Sequence, residues 1–371
     1  WLQAVSVGEM LAVAPVLDAM RRDGHEVYLT TTTSTGWRVA DDRFHGVTVG
    51  MGYFPLDWWP FVRRAWKKIQ PDIVIVMEGE RWPELIRYAN ARRTPVLCVN
   101  ARMSDRSFAR MKRWPGGARL MLDGLTRVLP GSAQDAARFR ELGVPAEKIT
   151  TTGNIKLDVP IPPLTEAERA QLRRELGLGA GLVLLGASTW PGETEPLVEA
   201  LRAARAAGLG CSLLLVPRHV ERRHDIEQAL RASGLTFHFR SKGAAAREVD
   251  VAVGDTTGEL KKLTQIADLV FVGKSLPPHT DGQTPVEAAV LGKPIVMGPG
   301  MGNFRQIADE LTAAGAARRV GTAELPATAR ELLADPARRG AMAAAATEWH
   351  RANVGAVART LAVVREELAR R

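Results

Sequence analysis

The sequence predicts an α/β protein with two doubly wound, Rossmann-like domains and a cleft between them. Short apolar runs that suit buried strands alternate with helical stretches, which is typical of a parallel sheet covered on both faces. The alternation stops at a proline-rich segment, residues 154–165, and then restarts. The length of 371 residues is sufficient for two hydrophobic cores.

The first half of the chain begins with a predicted strand and the helix that follows it, residues 9–20. Helical stretches are also predicted at residues 58–69 and 82–91. The strands are predicted at residues 2–7, 26–30, 46–49, 72–77 and 94–99. We therefore expect a first domain of residues 1–157, followed by a linker and connecting helix over 158–178.

The second half repeats the pattern over a predicted domain of residues 179–345. Its strands are predicted at 181–187, 212–216, 269–272 and 294–297, with a helix at 193–207. Two terminal helices rich in Ala and Arg follow, at 324–333 and 338–371. We expect the last segment, 346–371, to pack on the first domain.

The formal net charge of +9 predicts an anionic partner. No nucleic-acid motif is present and the basic residues are dispersed, so a membrane surface or a phosphorylated ligand is favoured over nucleic acid. Cys98 and Cys211 lie in separate apolar runs, which indicates buried thiols rather than a disulfide or metal site. The chain starts inside a predicted strand at Trp1, which is compatible with the removal of an N-terminal signal or anchor and leaves the presence of an anchor open.

Glu9 is the first candidate for catalysis. It follows a strand and a glycine turn, and ligands of open α/β sheets bind at the carboxyl ends of strands. A helix N-terminus favours its charged form, which can accept a proton from a bound hydroxyl. On the residues alone, a glutamate that only caps the helix remains an equal alternative.

In the second half of the chain, three predicted strands are followed by segments whose residues suit the binding of a phosphorylated sugar nucleotide. A helix N-terminus suits an anion, and an arginine can grip a phosphate through two hydrogen bonds. Thr284 is predicted as an N-cap before Pro285, and Glu287 can accept hydrogen bonds from ribose hydroxyls. A solvated basic turn and an ordinary helix start are the alternatives. The donor-binding candidates are Ser188, Thr189, Arg218, His219, Gly273, Lys274, Ser275, Thr284 and Glu287.

Residues 100–114 combine arginines and a lysine with Met, Phe and Trp side chains. Such a surface suits an acceptor with phosphates and acyl chains at a membrane. A solvated charged loop is the alternative.

Taken in order, these segments resemble the bacterial Kdo transferases, which move 3-deoxy-D-manno-octulosonic acid (Kdo) from CMP-Kdo onto the lipid A precursor. The resemblance covers nearly the whole chain and implies the GT-B glycosyltransferase architecture. The segments that carry it are 4–9, 29–36, 55–57, 78–83, 100–107, 153–158, 217–219, 254–259 and 302–304.

The resemblance implies an inverting single displacement with Glu9 as general base. Glu78 and Glu80 match the family's acidic pair, and Arg102 or Arg106 would pair with the Kdo carboxylate. The acceptor- or sugar-binding candidates are Ser6, Gly8, Thr32, Glu78, Arg102, Ser104 and Arg106. Cationic side chains would stabilise the leaving CMP, so no metal or other cofactor is expected. The expected location is the cytoplasmic face of the bacterial inner membrane, reached peripherally or through an N-terminal anchor.

The chain departs from the family pattern at Gln3, Trp190, Lys274, Gln283 and Ala288. Several of these positions lie where the donor should bind. The alternatives are therefore a UDP-sugar donor, another CMP-activated acidic sugar, or a non-catalytic homologue that binds lipopolysaccharide. The oligomeric state and the number of Kdo residues added stay open.

Overall fold

The computed structural model describes residues 1–158 and 160–370, which form two compact α/β units. The first unit comprises residues 1–159 and 353–371, and the second comprises residues 160–352. The prediction of two doubly wound parallel-sheet domains is confirmed.

The first unit contains a six-stranded parallel sheet in the order β3-β2-β1-β4-β5-β6. Its described strands are β1 (Leu2–Gln3), β2 (Tyr28–Thr31), β3 (Gly50–Tyr53), β4 (Val74–Met77), β5 (Val96–Ala101) and β6 (Arg127–Pro130). Its first seven helices are α1 (Val7–Arg22), α2 (Ser34–Phe44), α3 (Trp59–Ile69), α4 (Pro83–Asn90), α5 (Asp105–Arg113), α6 (Pro115–Leu122) and α7 (Ala133–Glu141). The order reverses between β1 and β4, which is where open sheets of this kind bind ligands.

Alternating side chains of the sheet supply two apolar layers. Ile75 and Met77 of β4 lie in the cluster that contains α1, whereas Val74 and Val76 lie in the cluster with Val62 of α3. All four residues of β4 are buried. Successive side chains of a strand point to opposite faces, and a sheet buried on both faces requires a continuous apolar run.

Two strands of the first unit depart furthest from their predicted bounds, whereas the ends of the other three predicted there differ by at most two residues. The strand predicted at 46–49 lies instead at Gly50–Tyr53, because the N–H groups of Val47 and Thr48 both donate to the carbonyl of Phe44 at the end of α2. Those N–H groups are therefore unavailable to a neighbouring strand. The first strand is short because Ser6 already caps α1.

The second unit contains a seven-stranded parallel sheet in the order β13-β12-β11-β7-β8-β10-β9. Its described strands are β7 (Leu182–Thr189), β8 (Cys211–Pro217), β9 (Phe237–Phe239), β10 (Val251–Val253), β11 (Leu269–Val272), β12 (Ile295–Met297) and β13 (Ala317–Arg319). Its helices are α8 (Glu166–Glu175), α9 (Thr194–Ala206), α10 (Arg223–Ser233), α11 (Leu260–Leu263), α12 (Val286–Val290), α13 (Arg305–Ala313), α14 (Leu325–Ala334) and α15 (Pro336–Asn353). The switch point of this sheet lies between β7 and β11.

The chain returns to the first unit at residue 353 rather than at 346. Trp349 of α15 donates a 3.1 Å hydrogen bond to Glu310, which keeps that helix with the second unit. The chain then turns at Gly355, which has a φ of +95° that favours glycine. The final helix, α16 (Ala356–Ala369), packs on α1 within the core of the first unit.

Both cysteines are buried, as predicted. Among the described helices, none has the length and apolar composition needed to cross a membrane.

Candidate active site

Glu9 lies on α1 at the carboxyl end of β1, beside the switch point of the first sheet. Ser6 begins the helix, because its Oγ accepts a 3.2 Å hydrogen bond from the N–H of Glu9. The Glu9 carboxylate accepts a 2.7 Å bond from the N–H of Val5 and lies 3.4 Å from Ser6 Oγ. Glu9 therefore braces the helix start, and its role in the site depends on its electrostatics.

Burial raises the pKa of Glu9 to about 7. The hydrogen bond from Val5 and the charge of Lys156 oppose this shift, while the charges of Glu78 and Glu80 add to it. A carboxyl group with this pKa is divided between its two protonation states near neutral pH, which is the property that a general base needs.

Glu78 directly follows β4, on the other side of the switch point. Its carboxylate lies 2.5 Å from Lys156 Nζ and 3.7 Å from Arg102 Nη1, and it accepts a 3.3 Å hydrogen bond from Asn100 Nδ2. Glu78 and Asn100 both have positive φ values, +48° and +52°; asparagine tolerates this conformation, whereas it is unfavourable for glutamate. Strained backbone of this kind is often found at functional sites.

Lys156 and Asn100 belong to this cluster, although the sequence did not single them out as site residues. Lys156 lies in a 3₁₀ turn, Ile155–Leu157. Asn100 Oδ1 accepts a 3.2 Å bond from the N–H of Ile155, which holds that turn against the end of β5. The available signal was the motif at residues 153–158, where one lysine stands between apolar residues.

The other predicted residues of the first unit make no hydrogen bond to this cluster in the described part of the chain. Ser6 and Gly8 are exposed at the start of α1, and Thr32 is exposed after β2. Ser104 caps α5 by accepting a bond from the N–H of Ser107, and Arg106 is exposed on that helix.

The second unit brings together the ends of β7, β8 and β11. A side chain at Gly273 would place its Cβ 2.3 Å from the carbonyl oxygen of Ser188, so only glycine permits this approach. The N–H of Arg218 donates a 3.2 Å bond to Thr189. Ser188 and Lys274 have φ values of +54° and +56°. The three segments predicted from the sequence therefore converge at the switch point of this sheet.

Glu193 holds these segments together, and the sequence did not reveal it. Its side chain is fully buried, and its carboxylate accepts hydrogen bonds from the backbone N–H groups of four residues. The donors, at 2.8 to 3.2 Å, are Trp190, Lys274, Ser275 and Leu276. We name residues 273–276 the donor loop. The only sequence signal was a glutamate after Pro191 and Gly192, which also suits an ordinary helix start.

Two positions where the chain departs from the family pattern contact each other. Lys274 Nζ lies 4.4 Å from the ring centroid of Trp190 and 2.7 Å from Asp281 Oδ2. The ring of His219 contacts the same tryptophan, with the centroids 5.0 Å apart. The cation is thus held between an aromatic face and a carboxylate, an arrangement that stabilises a lysine.

Ser275 and Thr284 serve the local backbone. Ser275 is fully buried, and its hydroxyl donates to the carbonyl of Val272 and accepts from the N–H of Gly298. That hydroxyl is engaged, contrary to a direct role in donor binding. Helix α12 begins one residue later than predicted, with Pro285 as N-cap, and Thr284 Oγ1 accepts a 3.2 Å bond from the N–H of Val286.

Glu287 has the features of a ligand-binding carboxylate. Burial raises its pKa, and the charges of Lys261 and Arg218 oppose that shift. Its Oε2 atom is buried and has no hydrogen-bond partner within residues 1–158 and 160–370. The positive charge of Arg218 therefore reaches the Glu287 carboxyl group.

No group of three or more His, Cys, Asp or Glu side chains in the described residues could hold a metal ion.

Solved structures resemble this fold over nearly its whole length. A putative UDP-N-acetylglucosamine 2-epimerase from Listeria monocytogenes has a TM-score of 0.67 at 14% identity, covering 100% of this chain and 97% of that one. Anabaena Alr3699/HepE in complex with UDP has a TM-score of 0.64 at 16% identity, covering 98% of each chain. At these identities the likeness concerns the fold alone.

The sequence relatives define the class of protein as a glycosyltransferase. A family model described as 3-deoxy-D-manno-octulosonic-acid transferase (kdotransferase) matches residues 1–159. The 3-deoxy-D-manno-octulosonic acid transferase of Bordetella pertussis is 38% identical, with 97% of this chain and 85% of the relative covered. The Haemophilus influenzae enzyme of the same name is 33% identical, with 83% and 72% covered. The chain belongs to the 3-deoxy-D-manno-octulosonic acid transferase family, which confirms the resemblance.

Proposed function

We propose that this enzyme transfers Kdo from CMP-Kdo to a lipid A precursor by an inverting single displacement, with Glu9 as the general base. The observation that carries the proposal is the position of the buried Glu9 carboxyl group at the switch point of the first sheet, where burial raises its pKa to about 7. A base of that pKa accepts the proton of the acceptor hydroxyl as its oxygen bonds to the sugar.

The cluster around Glu78 suits the sugar carboxylate and the acceptor. Lys156 pairs with Glu78 at 2.5 Å and fixes that carboxylate. Arg102 lies 3.7 Å from it, too far for a hydrogen bond, so its guanidinium is available to an anionic substrate group. We assign Arg102 to the Kdo carboxylate and the exposed Arg106 to acceptor phosphates.

The second unit supplies the proposed CMP site. The unpartnered Oε2 of Glu287 accepts a hydrogen bond from a ribose hydroxyl, and Arg218 contacts the phosphate. Arg218 and Lys274 stabilise the negative charge that develops on the leaving CMP, a task that preorganised cations perform well. This assignment requires no metal ion, and the reaction is proposed to run without one.

With this acceptor, the proposed location of the enzyme is the cytoplasmic face of the inner membrane, against an anionic surface. The support is the net charge of +9 and the exposed side chains of Arg110, Arg113 and Trp114 on and after α5. Basic and aromatic side chains together suit a lipid interface.

The test is transfer from CMP-Kdo generated in situ to a tetra-acylated lipid A precursor, in the presence of EDTA, with products read by mass spectrometry. One or more added Kdo masses are expected. Product formed only after metal is restored would contradict the metal-free assignment. Transfer from a UDP-sugar and not from CMP-Kdo would show that the donor is a UDP-sugar. Binding of the acceptor without binding of either sugar nucleotide would favour a non-catalytic homologue.

The pH profile of kcat/KM is expected to fall on its acid side with an apparent pKa near 7. Glu9 must be ionised to accept a proton, so protonation below that pH removes the base. The rate should approach a tenfold loss per pH unit well below the pKa. Initial rates between pH 5 and 9 measure this limb, and a profile that is flat from pH 5.5 to 7.5 would contradict it.

Arg218→Ala is expected to weaken CMP binding by roughly 10-fold or more, because a hydrogen bond to a charged group contributes about 1.5–3 kcal/mol. Arg231→Ala, an exposed arginine on α10, is the matched control and should bind CMP like the wild type. Thermal-shift titrations with CMP and UDP measure both effects. Equal binding by the two variants would remove Arg218 from the donor site.

A further inference from the structure

Helix α3 and the segment before it expose an unusual set of large apolar side chains. The exposed fractions are 71% for Leu56, 61% for Trp58, 48% for Trp59 and 43% for Phe61. Tryptophan is seldom so exposed in a soluble domain without a binding role. The rings of Trp58 and Phe61 contact each other, with centroids 5.9 Å apart.

Four basic residues follow on the same helix: Arg63, Arg64, Lys67 and Lys68, all of them exposed. Within the described chain none of the four has a salt bridge or a side-chain hydrogen bond, although many other arginines of this protein are paired with carboxylates. No acidic residue occurs from 58 to 71. The positive charge of this helix is therefore uncompensated by its own sequence.

The helix periodicity separates these groups from the core. Val62 and Trp66 are buried and are four residues apart, so they lie on one face. At 100° per residue, Arg64, Lys67 and Lys68 fall on the opposite side, and Arg63 lies at the edge of that cationic face. Trp59 and Phe61 flank that cationic face. The face of α3 outside the protein core therefore combines four cations with aromatic rings at its edges.

A cavity of about 330 Å³ opens beside the helix. Tyr28, Tyr53 and Phe61 contribute rings to its lining, and Arg64 and Lys68 contribute cations. Rings and cations together suit an amphiphile with a negative headgroup.

We propose that α3 and residues 56–58 dock the enzyme on the surface of a bilayer that contains anionic phospholipid, with the four cations on lipid phosphates and the tryptophans at headgroup level. Charge complementarity selects this occupant, because four unpaired cations flanked by exposed rings match an anionic lipid interface. The docking surface deepens the proposed function, since it brings the active site to a membrane-embedded acceptor.

The test compares Arg63→Gln/Lys67→Gln with Arg174→Gln/Arg330→Gln, a control that removes the same charge from exposed sites of the second unit. Binding to phosphatidylcholine vesicles with and without 30 mol% phosphatidylglycerol is measured by co-sedimentation. Each basic side chain near such a surface contributes about 1 kcal/mol, so the α3 variant should partition roughly 30-fold more weakly. The control should bind like the wild type.

A second measurement separates docking from catalysis. Brominated phosphatidylglycerol should quench the tryptophan fluorescence of the wild type. It should quench the fluorescence of the Trp58→Ser/Trp59→Ser variant much less. The Arg63→Gln/Lys67→Gln variant should still transfer sugar to detergent-solubilised acceptor, but its transfer to acceptor in vesicles should fall. Loss of both reactions would show that these residues act in the transfer reaction itself and not in docking. Wild-type binding that ignores phosphatidylglycerol, or an Arg110→Gln/Arg113→Gln variant that alone abolishes binding, would overturn the proposal.

Discussion

Glu9→Gln is expected to lower kcat by roughly 10²- to 10⁴-fold, the usual contribution of a general base. Glutamine has the same shape, and its amide oxygen can still accept the hydrogen bond from the N–H of Val5. The helix start is therefore preserved while the proton acceptor is lost. KM for the acceptor and the binding of CMP should change little, because neither depends on removal of the proton.

Steady-state transfer rates with both substrates varied measure this effect. Asp18→Asn is the control, since it removes an exposed carboxylate from the same helix. The remaining activity of Glu9→Gln should also lack the acid limb near pH 7. A kcat within tenfold of the wild type, with the thermal stability lowered, would show that Glu9 serves only to brace the helix.

The part of this site that the sequence predicts is the part that follows strands directly. Glu78 and Arg102 come at the ends of β4 and β5, and Glu9 follows β1. Parallel strands that are neighbours end at the same edge of a sheet, so adjacent strand ends bring their side chains together. Strand position singled out Glu9, whereas Glu78 and Arg102 were identified through the family resemblance.

The residues that the sequence missed depend on long-range contacts. Lys156 pairs with Glu78 because Asn100 holds the turn that contains Lys156, by accepting a hydrogen bond from the N–H of Ile155. Asn100 and Ile155 are 55 residues apart in the chain. Serine is a residue type that often contacts ligands. The Ser275 hydroxyl is buried, however, and its hydrogen bonds to the backbone of Val272 and Gly298 stabilise the donor loop. A sequence shows which side chains can form hydrogen bonds, and only the packed structure shows which partners they find.

Glu193→Gln is expected to destabilise the second unit and to weaken CMP binding together. A glutamine retains one oxygen, and its NH₂ group would face backbone N–H groups that now donate to the carboxylate. Two buried N–H groups then lose their acceptor, which lowers the free energy of unfolding by about 2–4 kcal/mol. For a domain of this size we expect a decrease in Tm of about 5–15 °C.

The accompanying loss of CMP affinity distinguishes a positioning role from a purely structural one. Three of the four backbone N–H groups that bind the Glu193 carboxylate belong to the donor loop. One of them is the N–H of Lys274, a residue whose φ of +56° is unfavourable and is stabilised by this hydrogen bond. Released from Glu193, the loop should populate other conformations, and CMP should bind at least roughly tenfold more weakly even at temperatures where the variant is folded. Glu195→Gln, which makes the same chemical change at an exposed position two residues away, should alter neither property. A variant at Glu193 that loses stability yet binds CMP normally would assign the buried carboxylate to folding alone.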